Sequence, residues 1–115
     1  MRMWMVEPKI MCRQHLIGEY RELFTILSIF RRGISIKGYI DNDLIEPTAL
    51  LTRYNELKEE MLERGYKPVK EFKFSVNLFD KFPTEYVNHI IDKDYSKKIL
   101  VSRCLECAKN AEEIK

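Results

Sequence analysis

Nowhere does the chain hold an apolar run approaching the roughly 20 residues a helix needs to cross a bilayer, which argues against an integral membrane protein. Its opening, Met1-Arg2-Met3-Trp4-Met5-Val6, is apolar over too short a stretch for a secretory signal, and no small-residue cleavage site follows. Cysteine is scarce and odd in number; three residues argue against a disulfide framework and for a reducing cytoplasm. Histidine is scarcer still. No Ser-His-Asp candidate set, HExxH element or glycine-rich phosphate loop is visible, and His15 and His89 leave little material for the first two. Repeats, low-complexity tracts and linkers are absent too. A net charge of +2 neither demands nor excludes nucleic acid, so the placement of the arginines must decide.

What remains is an ordinary globular composition. At 115 residues, 45% hydrophobic and 33% charged, the chain is expected to form one domain, 1–115, with a modest core. The patterning predicts a mainly α fold: a compact three-helix domain with irregular connections and at most a short hairpin. A first helix is expected from about Met11 to about Arg31, closed by Gly33. In the connection that follows, Ile34-Ser35-Ile36 and Tyr39-Ile40 are candidates for brief pairing, and Asp41-Asn42-Asp43 is a turn signal. A second helix should begin near Pro47 or Thr48, carry Leu50, Tyr54, Leu57 and Met61 on its buried stripe, and stop at Gly65. The alternation Phe72-Lys73-Phe74-Ser75-Val76 reads as a short strand. A last helix, from about Asp94 to Ile114, has Leu100, Cys104, Cys107, Ala108 and Ala111 on one side.

The first helix carries the most information. Leu16, Tyr20, Leu23, Leu27 and Phe30 recur at the period of one helix face. Gln14, Gly18, Arg21, Glu22 and Thr25 fall on the opposite side. A buried face backed by Gln, Arg and Glu around a glycine gap has the layout of a site, although the same residues also suit a solvated charged surface.

The decapeptide Gln14-His15-Leu16-Ile17-Gly18-Glu19-Tyr20-Arg21-Glu22-Leu23 resembles the signature helix of the pyrimidine dimer DNA glycosylases of the phage endonuclease V type. Arg2 behind the N-terminus and the spacing from Met1 to Gln14 are similar to that family as well. So are Arg53-Tyr54-Asn55-Glu56-Leu57 with Glu63-Arg64-Gly65-Tyr66, and Phe82-Pro83-Thr84-Glu85-Tyr86; counting on from Pro83 sets Arg103 on a family arginine. The resemblance implies an all-helical repair enzyme of a bacterial or phage-infected cell, acting on damaged double-stranded DNA as a monomer without cofactor. It implies catalysis by the N-terminal α-amine, here that of a retained Met1, with Glu22 as partner carboxylate. It also implies DNA contacts by Arg2, Gln14, His15, Arg21 and Arg103. Glu19 and Tyr20 match too, but Tyr20 lies on the apolar stripe and is expected in the core.

An amine of this kind is well suited to the task. A free α-amine titrates at about 7.7–8.0 against about 10.4 for lysine, so far more of it is neutral near pH 7. Three departures from the family pattern bear on substrate: Thr25 replaces an arginine, Cys107 a lysine, and a Tyr-rich tail is missing. An abasic site or another damaged base is therefore an alternative to the dimer, and a non-catalytic helical DNA-binding protein an alternative to the enzyme. Cys12-x-x-His15 and Cys104-x-x-Cys107 form a formal zinc-type set. Both pairs fall on expected helices, where cysteines pack as small apolar groups, so no metal is expected.

Overall fold

A computed structural model describes residues 1–114. It is mainly α, as expected, and no strand occurs among the described residues. Six α-helices follow in order: α1 Arg13–Arg31, α2 Lys37–Asp41, α3 Leu50–Glu63, α4 Thr84–Val87, α5 Lys93–Arg103 and α6 Leu105–Glu113. Short 3-10 turns at Pro8–Ile10, Pro47–Ala49 and Val76–Phe79 join them.

The two long N-terminal helices form where their caps and stripes require. Cys12 caps α1, its sulfur accepting the His15 N–H. At the other end Gly33 adopts φ +66°, and the amides of Gly33 and Ile34 return to the carbonyls of Phe30 and Ile29. That pair of bonds closes a Schellman turn, which needs a residue tolerant of positive φ. Gly65 ends α3 in the same way, with Tyr66 bonded back to Met61. The stripe Leu16, Tyr20, Leu23, Leu27 and Phe30 is buried throughout, as are Leu50, Tyr54, Leu57 and Met61. Tyr20 and Tyr54 stack across the two helices with centroids 5.7 Å apart. Burial pushes the Tyr20 hydroxyl up to about 12, in keeping with a core position.

Three expectations fail, each for a physical reason. Residues 34–40 make no hairpin; Ile36 and Ile40 stand four apart, one helical turn, and both are buried by the short α2. The alternating segment 72–76 makes no strand, because an all-helical surface offers no neighbouring ladder. Its apolar residues serve the core instead: Phe72 stacks on Tyr54 at 4.6 Å and Phe74 packs edge-on to Phe79 at 5.5 Å. The last helix is not continuous, and with the short α2 and α4 the three expected helices become six among the described residues. Cys104 is extended (φ −124°, ψ 109°), ending α5 and capping α6 at once, without the Gly or Pro that would signal a break.

The N-terminal segment, expected to supply Met1 and Arg2 to a site, is irregular yet largely buried. Met3, Trp4 and Val6 are buried. Their backbone is satisfied by three separate elements: Met3 N–H donates to Leu44 O at 2.7 Å, Ser96 Oγ to Trp4 O at 2.6 Å, and Arg53 Nη1 to Val6 O at 2.7 Å. Arg53, only 2% exposed, also donates from Nε and Nη2 to Glu19 at 2.6 and 2.8 Å. Burial alone would depress this guanidinium, but the Glu19 carboxylate reverses the shift and holds it above its ordinary value.

Removing one partner of such a pair strands a buried charge. Glu19→Ala is expected to cost about 3–5 kcal/mol in urea unfolding, and Glu19→Leu/Arg53→Met clearly less, because no lone charge is left behind. A loss below about 1 kcal/mol in the single variant would show that the pair does not govern packing.

Candidate active site

The tethered segment carries the start of the chain to Glu22. Arg2 N–H donates to Glu22 Oε2 at 2.9 Å, and Glu22 is half-buried while Met1 is exposed. The Arg2 guanidinium lies over the Trp4 ring, 4.2 Å from its centroid, as a cation–π contact. Arg2 Nε is shut away from water with no hydrogen-bond partner among the described residues. Burial first, then the charge of Arg103, hold the Arg2 guanidinium below its ordinary value, against the opposing pull of Asp43, Glu19 and Glu22. Arg103, the exposed last residue of α5, is thus brought electrostatically close to Arg2 from the far end of the chain. Two guanidinium groups in one region suit an anion that presents several oxygens, as phosphate does.

Gln14 and Arg21 lie further round α1. Both are exposed, and with Arg13, Ile17 and Gly18 they line a groove of about 200 Å³. A Cβ added at Gly18 would meet nothing within 4 Å, so the glycine leaves the groove open. Arg21 also borders a second hollow with Lys67 and Lys70, and Thr25 is exposed on the same helix. The reading of the sequence did not single out Arg13, Lys67, Lys70 or Trp4. Arg13 was within reach, since it stands at four-residue steps from Ile17 and Arg21. The two lysines were not, because their segment is irregular and carries no period.

His15 turns to the opposite company. Its Nδ1 lies 3.1 Å from Cys12 Sγ and 3.7 Å from Cys107 Sγ, and its ring meets Trp4 edge-on at 5.8 Å. Cys104 Sγ is 3.8 Å from Cys12 Sγ. The four ligand-type atoms of Cys12, His15, Cys104 and Cys107 all fall within 4.8 Å of one another. Three cysteines expected as core thiols and His15, expected at the DNA, are therefore gathered at one point. A wider cavity of about 450 Å³ opens beside Cys12, between Arg64, Tyr66 and Asn110, but none of Met1, Arg2 and Glu22 lines it.

Among known proteins, a model of the pyrimidine dimer DNA glycosylase family matches residues 1–74. The matched region covers the buried N-terminal segment, α1, α2 and α3, and so includes Glu22, Arg2 and the Glu19–Arg53 pair. No curated protein and no solved structure matches. The family's first helix, the tethered N-terminus and a match over well more than half of the residues lead to one assignment: the chain belongs to the pyrimidine dimer DNA glycosylase family.

Proposed function

We propose that this family member is a DNA glycosylase with abasic-site lyase activity, acting through an imine formed by the α-amine of Met1. The observation that carries the reading is the 2.9 Å bond from Arg2 N–H to Glu22 Oε2, one residue from the amine. In this scheme the amine nitrogen attacks C1′ of the damaged nucleotide, and the base leaves with the glycosidic electron pair. Glu22 opposes the positive charge that develops at the sugar and then moves protons as the sugar ring opens to the imine. Loss of a proton from C2′ expels the 3′ phosphate, which cuts the strand; water then hydrolyses the imine and frees Met1.

Arg2, Arg21 and Arg103 serve as phosphate contacts, with Gln14 at the groove's edge. His15 was assigned to DNA by resemblance; its Nδ1 faces the thiols, so a DNA role falls to its other edge. Double-stranded DNA carrying a pyrimidine dimer is the substrate the family favours. Thr25 and Cys107 in place of basic residues favour broader use of abasic sites. The chain acts as one copy, without a cofactor in the chemistry.

Glu22→Gln removes charge while keeping volume. It is expected to leave DNA affinity within about twofold and to slow strand cleavage about a hundredfold or more in single-turnover assays. Wild-type rates in this variant would take Glu22 out of the mechanism.

Borohydride should trap the untagged protein on abasic DNA, and peptide mapping should find the adduct on Met1. Acetylation of the N-terminus should abolish trapping, whereas Lys9→Ala and Lys109→Ala should not. Trapping that survives a blocked N-terminus moves the chemistry to a lysine, and no trapping at all favours a DNA-binding protein without activity.

Alanine at Arg2, Arg21 or Arg103 should each lower the slope of log K against log salt by about 0.9. An unchanged slope in all three would put the DNA on another face.

A further inference from the structure

We propose that Cys12, His15, Cys104 and Cys107 bind one zinc ion that fastens the start of α1 to the start of α6. Zinc in a tetrahedral site takes cysteine sulfur at about 2.3 Å and histidine nitrogen at about 2.0–2.1 Å, so neighbouring ligand atoms stand roughly 3.5–3.8 Å apart. Here Cys12 and Cys104 sulfurs are 3.8 Å apart, Cys107 Sγ and His15 Nδ1 3.7 Å, and Cys12 Sγ and His15 Nδ1 3.1 Å. The widest separation in the set is no more than 4.8 Å. Small side-chain adjustments are enough to put one ion at the centre. Ligands this close enclose a single ion, whereas an iron–sulfur cluster spreads its thiolates over several irons.

The backbone around the sulfurs is arranged for thiolates. Cys12 and Cys104 are the N-caps of α1 and α6, and each opens a Cys-x-x-ligand step at a helix start. Each sulfur receives a backbone N–H: Cys12 from His15 at 3.4 Å, Cys104 from Cys107 at 3.5 Å, and Cys107 from Cys12 at 3.2 Å. Three thiolates and a neutral imidazole around a dication leave one net negative charge. The positive ends of two helices, of 19 and 9 residues, oppose it. Metal entry displaces three thiol protons, so occupancy should fall in acid. Four protein ligands leave no open position, which makes the ion structural and not a Lewis acid for the reaction.

The break at Cys104 now has a use. A continuous helix would hold Cys104 and Cys107 on α-helical backbone; here the Cys104 amide still closes α5 by donating to Leu100 O, but its extended backbone turns the chain so that the second pair meets the first across 92 residues. Arg103 is the residue immediately before this anchor, and Trp4, which carries Arg2, abuts His15. The ion would therefore hold both sides of the phosphate-binding region.

The test is metal analysis of the full chain, made without a polyhistidine tag and kept reduced, followed by Co2+ titration of the metal-free protein. One zinc per chain is expected, and one equivalent of Co2+ should give the intense visible bands of a tetrahedral thiolate site. Cys104→Ala and His15→Ala, at half-buried positions, should lose those bands or weaken metal binding at least a hundredfold while keeping the helical circular dichroism signal. His89→Asn, remote from the cluster, should bind like the parent. Three results would overturn the proposal: a folded parent chain that takes up no metal, a cobalt spectrum of the octahedral oxygen type, or equal binding by the two ligand variants. A Cys12–Cys104 disulfide in freshly isolated reduced-cell protein would overturn it as well. Should both ligand variants unfold, the parent's stoichiometry and cobalt spectrum still decide.

Discussion

One charge pair sets how the rest of the molecule can pack. Arg53 of α3 and Glu19 of α1 meet in bidentate geometry at positions 2% and 1% exposed. Each ion forfeits several kcal/mol of solvation on burial, so any packing that separates the two is penalised heavily. The guanidinium is planar and directional, and Nη1 is aimed at the Val6 carbonyl. Two helices and the N-terminal segment are thereby held in one mutual arrangement. The aromatic contacts of Tyr20, Tyr54, Phe24 and Phe72 fill the space around it.

From Val6 the constraint runs back toward the chain's first residue. Chain ends usually fray because little holds them. This one is tied at Val6 O, Trp4 O, Met3 N and Arg2 N within a few residues. Met5 adopts φ 57°, a strained value for a side-chain-bearing residue, which the flanking bonds must sustain. The α-amine of Met1 lies one residue from this tied backbone.

The C-terminal part of the chain stands outside the matched region. Cys107, in place of a lysine, looks on sequence grounds like a lost DNA contact. In three dimensions it sits beside Cys12, His15 and Cys104, where a charge on a long stem would have no room. A cysteine there sets a third thiol beside Cys12 and Cys104 in place of a cation.

How much was legible follows from the range of each interaction. The buried stripe from Leu16 to Phe30 and the exposed Gln14–Arg21 face are periodic over neighbouring turns, so the sequence by itself determined them. It likewise determined the ends of α1 and α3, because positive φ at Gly33 and Gly65 is a property of single residues. Phe72 and Phe74 alternate in the same way whether they build a strand or lie against helices, and only the neighbouring elements decided between these. Glu19 and Glu22 are both carboxylates on one helix, three residues apart; that the first meets Arg53 and the second meets Arg2 was decided by packing. The pairings that make the site join residues 20, 34 and 92 positions apart. No local periodicity reports contacts at such separations, since they exist only once the helices have closed on one another and the cost of burying each polar group has selected its partner.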